Sequence, residues 1–333
     1  MNVPPVGVAT GVGSMPGDDP RAAVEVIAGE VGLIHLPELP GRGLGADMIG
    51  RACAVLADMP MEVATTGYRL SARPSAMSRR ARDLLRTDVD ALEEIWETGG
   101  HGGPDAWVKT QVCGPFTLAA SVETSAGHKA VRDRGAWADL VDSLAEGVAV
   151  HAAELQRRLG VPVLVQIDEP LLDRVIDGAV KPLSRFDVID PIPAATIAEH
   201  YDRLIDVVGR PVLLHLCSDT IPWTVAAQSS VWGVAFDLAQ VGRADLDGIG
   251  ELLDRATVLA VGAVPATEPG PEVTAEAVAA QIVRMVDTIG LDRRVLSDSM
   301  LVTPTCGLAQ ASTSWSRTAL AIATAVATEL PRM

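Results

Sequence analysis

The residues with the most chemical reach in this sequence sit where apolar runs end. Leu213-Leu214-His215-Leu216-Cys217 closes one such run in His-x-Cys. Residues two apart on a strand point to the same side, so this imidazole and thiol can share one ion. Cys306 stands in Thr303-Pro304-Thr305-Cys306-Gly307 after another run, and Asp237 closes Val234-Ala235-Phe236-Asp237. One imidazole nitrogen and two thiolates make a soft donor set that suits Zn2+, with Asp237 as a weaker fourth ligand. The competing reading makes both cysteines small buried hydrophobes and His215 a satisfied core histidine.

Carboxylates and a hydroxyl occupy similar places. Asp168 and Glu169 follow the apolar run Pro162 to Ile167, and Pro170 stops it. Such a pair can hold an ammonium group, act as acid and base, or cap the next turn. Glu38 lies in Leu36-Pro37-Glu38-Leu39-Pro40, where flanking prolines fix its backbone; it is either a second anchor for a cation or a surface loop residue. Gly11-Val12-Gly13-Ser14-Met15-Pro16-Gly17 has the spacing GxGxxxG. Pro16 removes an amide that a phosphate cradle would use, so the stretch reads as a tight turn presenting the Ser14 hydroxyl. Cys53 reads as packed in the helical pattern Met48 to Leu56, Cys113 as pocket-lining, and His35 as the remaining functional histidine. His101 and His128 read as solvated.

Eight apolar runs must carry these groups: Val6–Gly13, Gly32–Leu36, Trp107–Cys113, Pro162–Ile167, Pro211–Leu216, Trp232–Phe236, Val258–Val264 and Val295–Val302. Helical patterns separate most of them, among them Ala22–Ala28, Gly135–Leu159 and Ala309–Thr328. The alternation predicts an α/β fold, a single (β/α)8 TIM-type barrel over residues 1–333, with a polar helical insertion at 69–103 between the second and third strands. In such barrels the active site lies at the C-terminal ends of the strands. Ser14, Glu38, Asp168, His215, Cys217, Asp237 and Cys306 all fall there.

The bulk numbers narrow the partners. The chain has 333 residues, 27 basic against 43 acidic, and a formal net charge of −16. That balance argues against nucleic acid. Aromatics make up only 3% of a chain that is 48% hydrophobic, so the core is built from Ala, Val, Leu and Ile. Four cysteines in this length do not make a disulfide scaffold. No apolar run reaches the length of a membrane span, and the N-terminus lacks the basic-then-apolar pattern of a secretory signal, so a cytoplasmic protein is expected.

Five short motifs occur in a telling order. They are Val12-Gly13-Ser14-Met15-Pro16, Gly114-Pro115-Phe116-Thr117, Gln166-Ile167-Asp168-Glu169-Pro170, His215-Leu216-Cys217 and Thr303-Pro304-Thr305-Cys306-Gly307-Leu308. Together they resemble the C-terminal catalytic barrel of cobalamin-independent methionine synthase, in the wider group that includes uroporphyrinogen decarboxylase. The resemblance runs from about Ala9 to Ala325. It implies one Zn2+ held by His215, Cys217, Cys306 and a carboxylate. In the family that carboxylate is a glutamate on the next strand, and here Asp237 stands in its place, one methylene shorter. It further implies that Ser14, Glu38 and Asp168 hold the amine and carboxylate of homocysteine; Asp168 and Glu169, two acids abutting a buried strand tip, are expected as the catalytic carboxylates.

The implied chemistry is methyl transfer to a thiol. A free thiol is mostly protonated at neutral pH, and coordination to Zn2+ deprotonates it. Several departures fall on the methyl-donor side. The second, N-terminal barrel of the full-length enzyme is not present in this sequence. Ala119, Ala120 and Ser121 stand where the family carries a folate-stacking tryptophan, and Gly262 to Thr267 contains no proton-donating histidine. The donor is therefore methyltetrahydrofolate or, in its place, a methyl-corrinoid protein. Two other functions compete: a decarboxylase of the uroporphyrinogen type, which has no use for three soft ligands, and a zinc-binding barrel without transfer activity.

Overall fold

Eight parallel strands form one curled sheet in the computed structural model, which describes residues 3–218, 220–269 and 273–333. The strands are β1 (Val8–Ala9), β2 (Ile34–His35), β5 (Val108–Cys113), β6 (Val163–Asp168), β7 (Val212–Leu216), β8 (Gly233–Asp237), β9 (Val258–Val264) and β10 (Met300–Pro304). Two further strands, β3 (Met61–Ala64) and β4 (Gly67–Leu70), form a separate antiparallel hairpin. The large sheet runs β1-β10-β9-β8-β7-β6-β5-β2. Its edges also meet: Leu33 N donates to Ala9 O at 3.1 Å, Met15 N to Glu38 O at 2.8 Å, and Glu38 N to Gly13 O at 3.1 Å. The architecture is α/β, of the TIM (β/α)8 type that the alternation of runs implied.

Helices follow the strands in order. They are α1 (Pro20–Glu30), α2 (Met48–Val55), α3 (Ala76–Gly99), α4 (Pro115–Ser121), α5 (Arg134–Leu159) and α6 (Leu172–Ile176) in the first half. The second half has α7 (Ala194–Val208), α8 (Trp223–Gln228), α9 (Leu246–Asp254), α10 (Ala275–Ile289), α11 (Val295–Asp298) and α12 (Thr313–Glu329). No helix among the described residues is long and apolar enough to cross a membrane.

Several boundaries differ from the sequence reading: β1 covers only Val8–Ala9 of the run Val6–Gly13, and the last helix begins at Thr313 instead of Ala309. In the stretch 69–103, Arg69 and Leu70 finish β4 and only Ala76–Gly99 is helical. The Ser75 side chain caps that helix by accepting from Ser78 N, and Gly100 ends it in the left-handed region at φ 65. Helix α3 packs against α1, α2 and α5, so it lies in the outer ring of helices. The eighth apolar run begins as a turn of helix, α11, and the strand starts only at Met300. Ser297, Asp298 and Ser299 interrupt the apolar alternation there, and the amides of Val295 and Leu296 bond back to Asp292 and Arg293.

The sheet separates two cores. Leu33, Trp107, Leu164, Leu213, Ala260 and Leu301 form an apolar floor inside the barrel. Val108, Val163, Val165, Ile167, Val212 and Val234 belong to the larger core shared with the helices. Side chains two residues apart share a face, so stepping along each strand from the floor shows what the interior holds above it. Trp107 is followed inward by Lys109 and Gln111, Leu164 by Gln166 and Asp168, and Leu213 by His215. All five polar residues are buried.

Candidate active site

The polar interior is organised around Asp168 at the end of β6. His215 Nδ1 and Asp168 Oδ1 are 2.7 Å apart, across strands paired in register at those two residues. Gln166 Nε2 donates to the same Asp168 oxygen at 2.7 Å and to Val12 O at 2.7 Å. Burial alone would hold the His215 imidazole pKa down, but the bond to Asp168 and its charge outweigh that and raise it. Below lies Lys109, fully buried, donating to Gln166 Oε1 at 2.7 Å and Val12 O at 3.0 Å. Burial pushes the Lys109 ammonium down to about 8, against the charges of Asp168 and Glu38.

The two candidate cysteines meet at the same mouth. Cys217, half-buried just past β7, and Cys306, exposed just past β10, are both free cysteines whose side chains interact. That contact draws the Cys306 thiol down to about 6, with the charge of His215 acting in the same direction, and pushes Cys217 up. Asp237 ends β8, and its Oδ1 accepts from Ala239 N at 2.8 Å, which caps the turn that follows. Burial raises its pKa, while the Ala239 amide and His215 oppose that.

Ser14 and Glu38 come together where the edges of the sheet meet. Leu308 N donates to Ser14 O at 2.8 Å, which brings the segment after Cys306 against the turn. A Cβ on Gly307 would collide with Ser14 Oγ, so this approach needs a glycine. Glu38 is buried, and burial pushes its carboxyl up to about 7 despite Arg51, whose Nε is 3.6 Å away. Arg51 is anchored in turn on buried Asp88, which also pairs with Arg42. Ser14, Glu38, Asp168, His215, Cys217, Asp237 and Cys306 thus all stand on strand ends or in the loops that follow them.

Glu169 does not join them. Its Oε1 accepts from Phe116 N at 3.0 Å and Tyr201 Oη at 2.6 Å; its Oε2 accepts from Thr117 N at 2.7 Å and Thr117 Oγ1 at 2.6 Å. Both oxygens face the first turn of α4 and α7, outside the barrel wall. The carboxylate fixes the Gly114-Pro115-Phe116-Thr117 turn and is turned away from the mouth, in contrast to the catalytic role expected for it. A Cβ on Gly114 would strike this carboxylate.

The donor chemistry of the mouth suits Zn2+. His215 offers a nitrogen whose partner Nδ1 is already held by a carboxylate, the usual arrangement behind a metal-bound imidazole. Two thiols at the same mouth complete a soft set. Among the described residues, however, no three His, Cys, Asp or Glu side chains stand at metal-holding separations. The donor types fit; the side chains are not drawn in to ligand distances.

Lys109, Arg51 and Tyr201 are participants that the sequence reading does not single out, and Gln166 and Thr117 enter it only as motif members without a role. A signal for Lys109 and Gln166 was present. The two break apolar strands at positions that share a face with Trp107 and Asp168. On the donor side, Ala119 and Ala120 of α4 are buried, and Ala266 N, after β9, donates to Thr305 Oγ1 at 3.2 Å.

Residues 8–329 match the sequence profile of the family described as "Cobalamin-independent synthase, Catalytic domain". No curated protein sequence matches the chain. Among solved structures, it is similar to a B12-independent methionine synthase from Shewanella sp. W3-18-1 in complex with selenomethionine, at 13% identity and a TM-score of 0.59, covering 98% of each chain. It is similar also to a methyltransferase from Methanosarcina mazei, at 14% identity and a TM-score of 0.58, covering 99% of this chain and 95% of that one. At these identities the likeness to solved structures is one of fold.

Proposed function

The chain belongs to the family of cobalamin-independent synthase catalytic domains, and from that membership we propose that it is a Zn2+-dependent enzyme transferring a methyl group to a thiol, homocysteine foremost. The observation that carries the reading is a His215 oriented by Asp168 at the end of β7, with Cys217 and Cys306 just past β7 and β10 at the same mouth. His215, Cys217 and Cys306 would hold the metal, with Asp237 as the fourth and weakest donor. What Zn2+ supplies when bound is deprotonation of the substrate thiol at neutral pH.

The protein's own groups bind and orient. Asp168 Oδ1 fixes His215, and no protein donor reaches its Oδ2 among the described residues, so that oxygen is free to accept from a substrate ammonium. Glu38, across the mouth, offers a second carboxylate for the same cation. The Ser14 hydroxyl, seated against Gly307, is placed to hold the amino acid carboxylate. Positioning of donor and acceptor for in-line attack does the rest of the work. Glu169 contributes by holding the α4 turn and takes no part in proton transfer.

Buried alanines on α4 and the absence of a histidine between Gly262 and Thr267 favour a methyl-corrinoid protein over methyltetrahydrofolate as donor. The test begins with the metal. Purified protein should carry one zinc per chain, and Cys306→Ser should lose or loosen it. No zinc in either protein after reconstitution under reducing conditions would sink thiol activation. Methylation of homocysteine from methyltetrahydrofolate alone would count against the corrinoid donor and leave the acceptor chemistry standing.

A further inference from the structure

Lys109 has no place in the thiol chemistry just described, yet it is a fully buried charge at the centre of the barrel. A buried ammonium is costly unless its donors are satisfied and a countercharge is near. Its bonded acceptors are neutral: Val12 O at 3.0 Å, Gln166 Oε1 at 2.7 Å and, more distantly, Gln111 Oε1 at 3.5 Å. The countercharges, Asp168 and Glu38, lie beyond direct contact. Apolar floor residues lie beneath it. Its location is therefore explained by what it bonds rather than by an ion pair.

We infer that Lys109 is a positioning residue that, through Gln166 and Asp168, sets which nitrogen of His215 carries the proton. The chain of bonds has only one consistent polarity. An ammonium donates and cannot accept, so Gln166 must turn its oxygen, not its NH2, toward Lys109. The Gln166 amide then points Nε2 at Val12 O and Asp168 Oδ1, both acceptors. Asp168 Oδ1 receives Gln166 from one side and His215 from the other, each at 2.7 Å. A carboxylate in that position makes Nδ1 of His215 the donor, which leaves the lone pair on Nε2. Val12 O, which accepts from both Lys109 and Gln166, locks the two side chains to the turn that presents Ser14. Without the ammonium the Gln166 oxygen loses its donor, and only Val12 O and Asp168 Oδ1 still hold the amide in place.

The inference rests on the proposed metal role of His215 for its consequence, but not for its test. In metal-free protein, the 15N shifts of the His215 ring report the tautomer directly. At a pH well above the raised imidazole pKa, wild type should show Nδ1–H alone. Lys109→Met, which keeps the length and removes the donors, should show a mixture of tautomers, and so should Gln166→Glu, which keeps the oxygen toward Lys109 and removes the donor to Asp168. The double variant should be no worse than the single ones, because both break one chain. In competition with a chelator, zinc affinity should fall about ten- to a hundredfold in each variant. Should Lys109→Met fail to fold, Gln166→Glu decides alone. Unchanged His215 shifts in folded variants would overturn the inference. Altered shifts in a protein that binds no zinc would uphold it and count against the metal reading instead.

Discussion

Asp168 and Glu169 are neighbours in sequence on opposite faces of one strand end, and the two faces are built for different work. On the inner face, Asp168 places one oxygen between Gln166 and His215 and keeps the other without a protein partner among the described residues. On the outer face, Glu169 has both oxygens occupied by four donors from α4 and α7. A carboxylate with an unused oxygen can serve a ligand. A saturated one has spent its hydrogen-bonding capacity on the fold. On the proposed function, the count of partners separates the acid that serves the ligand from the one that serves the fold, where residue type and position in the chain could not.

The contrast breaks first if Glu169 is removed. Glu169→Ala strands two amides, a hydroxyl and a phenol in a buried space, and should cost about 3–5 kcal/mol of stability, read by urea unfolding. Asp168→Asn should do the reverse. The unfolding midpoint should stay near wild type while kcat/KM for thiol methylation falls about a hundredfold, since the His215 partner and the ammonium acceptor both change. Equal stability losses in the two variants would erase the distinction. Two glycines give a finer version of the same contrast. Gly114→Ala pushes a Cβ into the Glu169 carboxylate and should cost about 2 kcal/mol of stability with little effect on KM. Gly307→Ala displaces Ser14 Oγ and should raise the KM for the thiol about tenfold, the worth of one hydrogen bond to a charged group, with a smaller stability loss.

Much of this was legible in the sequence because a parallel barrel has few ways to place a strand end. His215, Cys217 and Asp168 follow long apolar runs, and the two-residue period alone sets His215 and Cys217 on one side. Choosing between Asp168 and Glu169 required the register of β6 against the floor, which Leu164 would have supplied by counting in twos. The same count from Trp107 reaches Lys109, a residue hidden inside a run that counts as a strand by its apolar members. The hairpin β3–β4 escaped notice because its strands are only four residues each and its clearest turn signal is the single Gly67. Residues Val295 to Asp298 misled for a different reason. An apolar pair at the start of a run carries no period, and local bonds to Asp292 and Arg293 decided for helix.

The effect most specific to the outer face is a dependence on pH. Burial pushes the Glu169 carboxyl up to about 7, against the four donors that favour its charged form. In the unfolded chain it titrates near the ordinary value of 4.5. Between those two values the folded state binds more protons at this site than the unfolded state. Stability from this group is thus fully present below pH 4.5 and is lost as pH rises through 7. The slope is at most about 1.4 kcal/mol per pH unit, on the order of 3 kcal/mol over the whole window. Glu38, raised by burial to about 7, adds to the same trend, whereas His35 and His151, held down by burial, oppose it below the usual histidine range. Only a difference between two proteins isolates Glu169. Urea unfolding of wild type and Glu169→Gln across pH 5 to 8 should give stability curves that converge as pH rises, the variant being the flatter. Curves that run parallel would mean that the four donors hold Glu169 ionised throughout, and the outer carboxylate would then be a fixed charge rather than a titrating one.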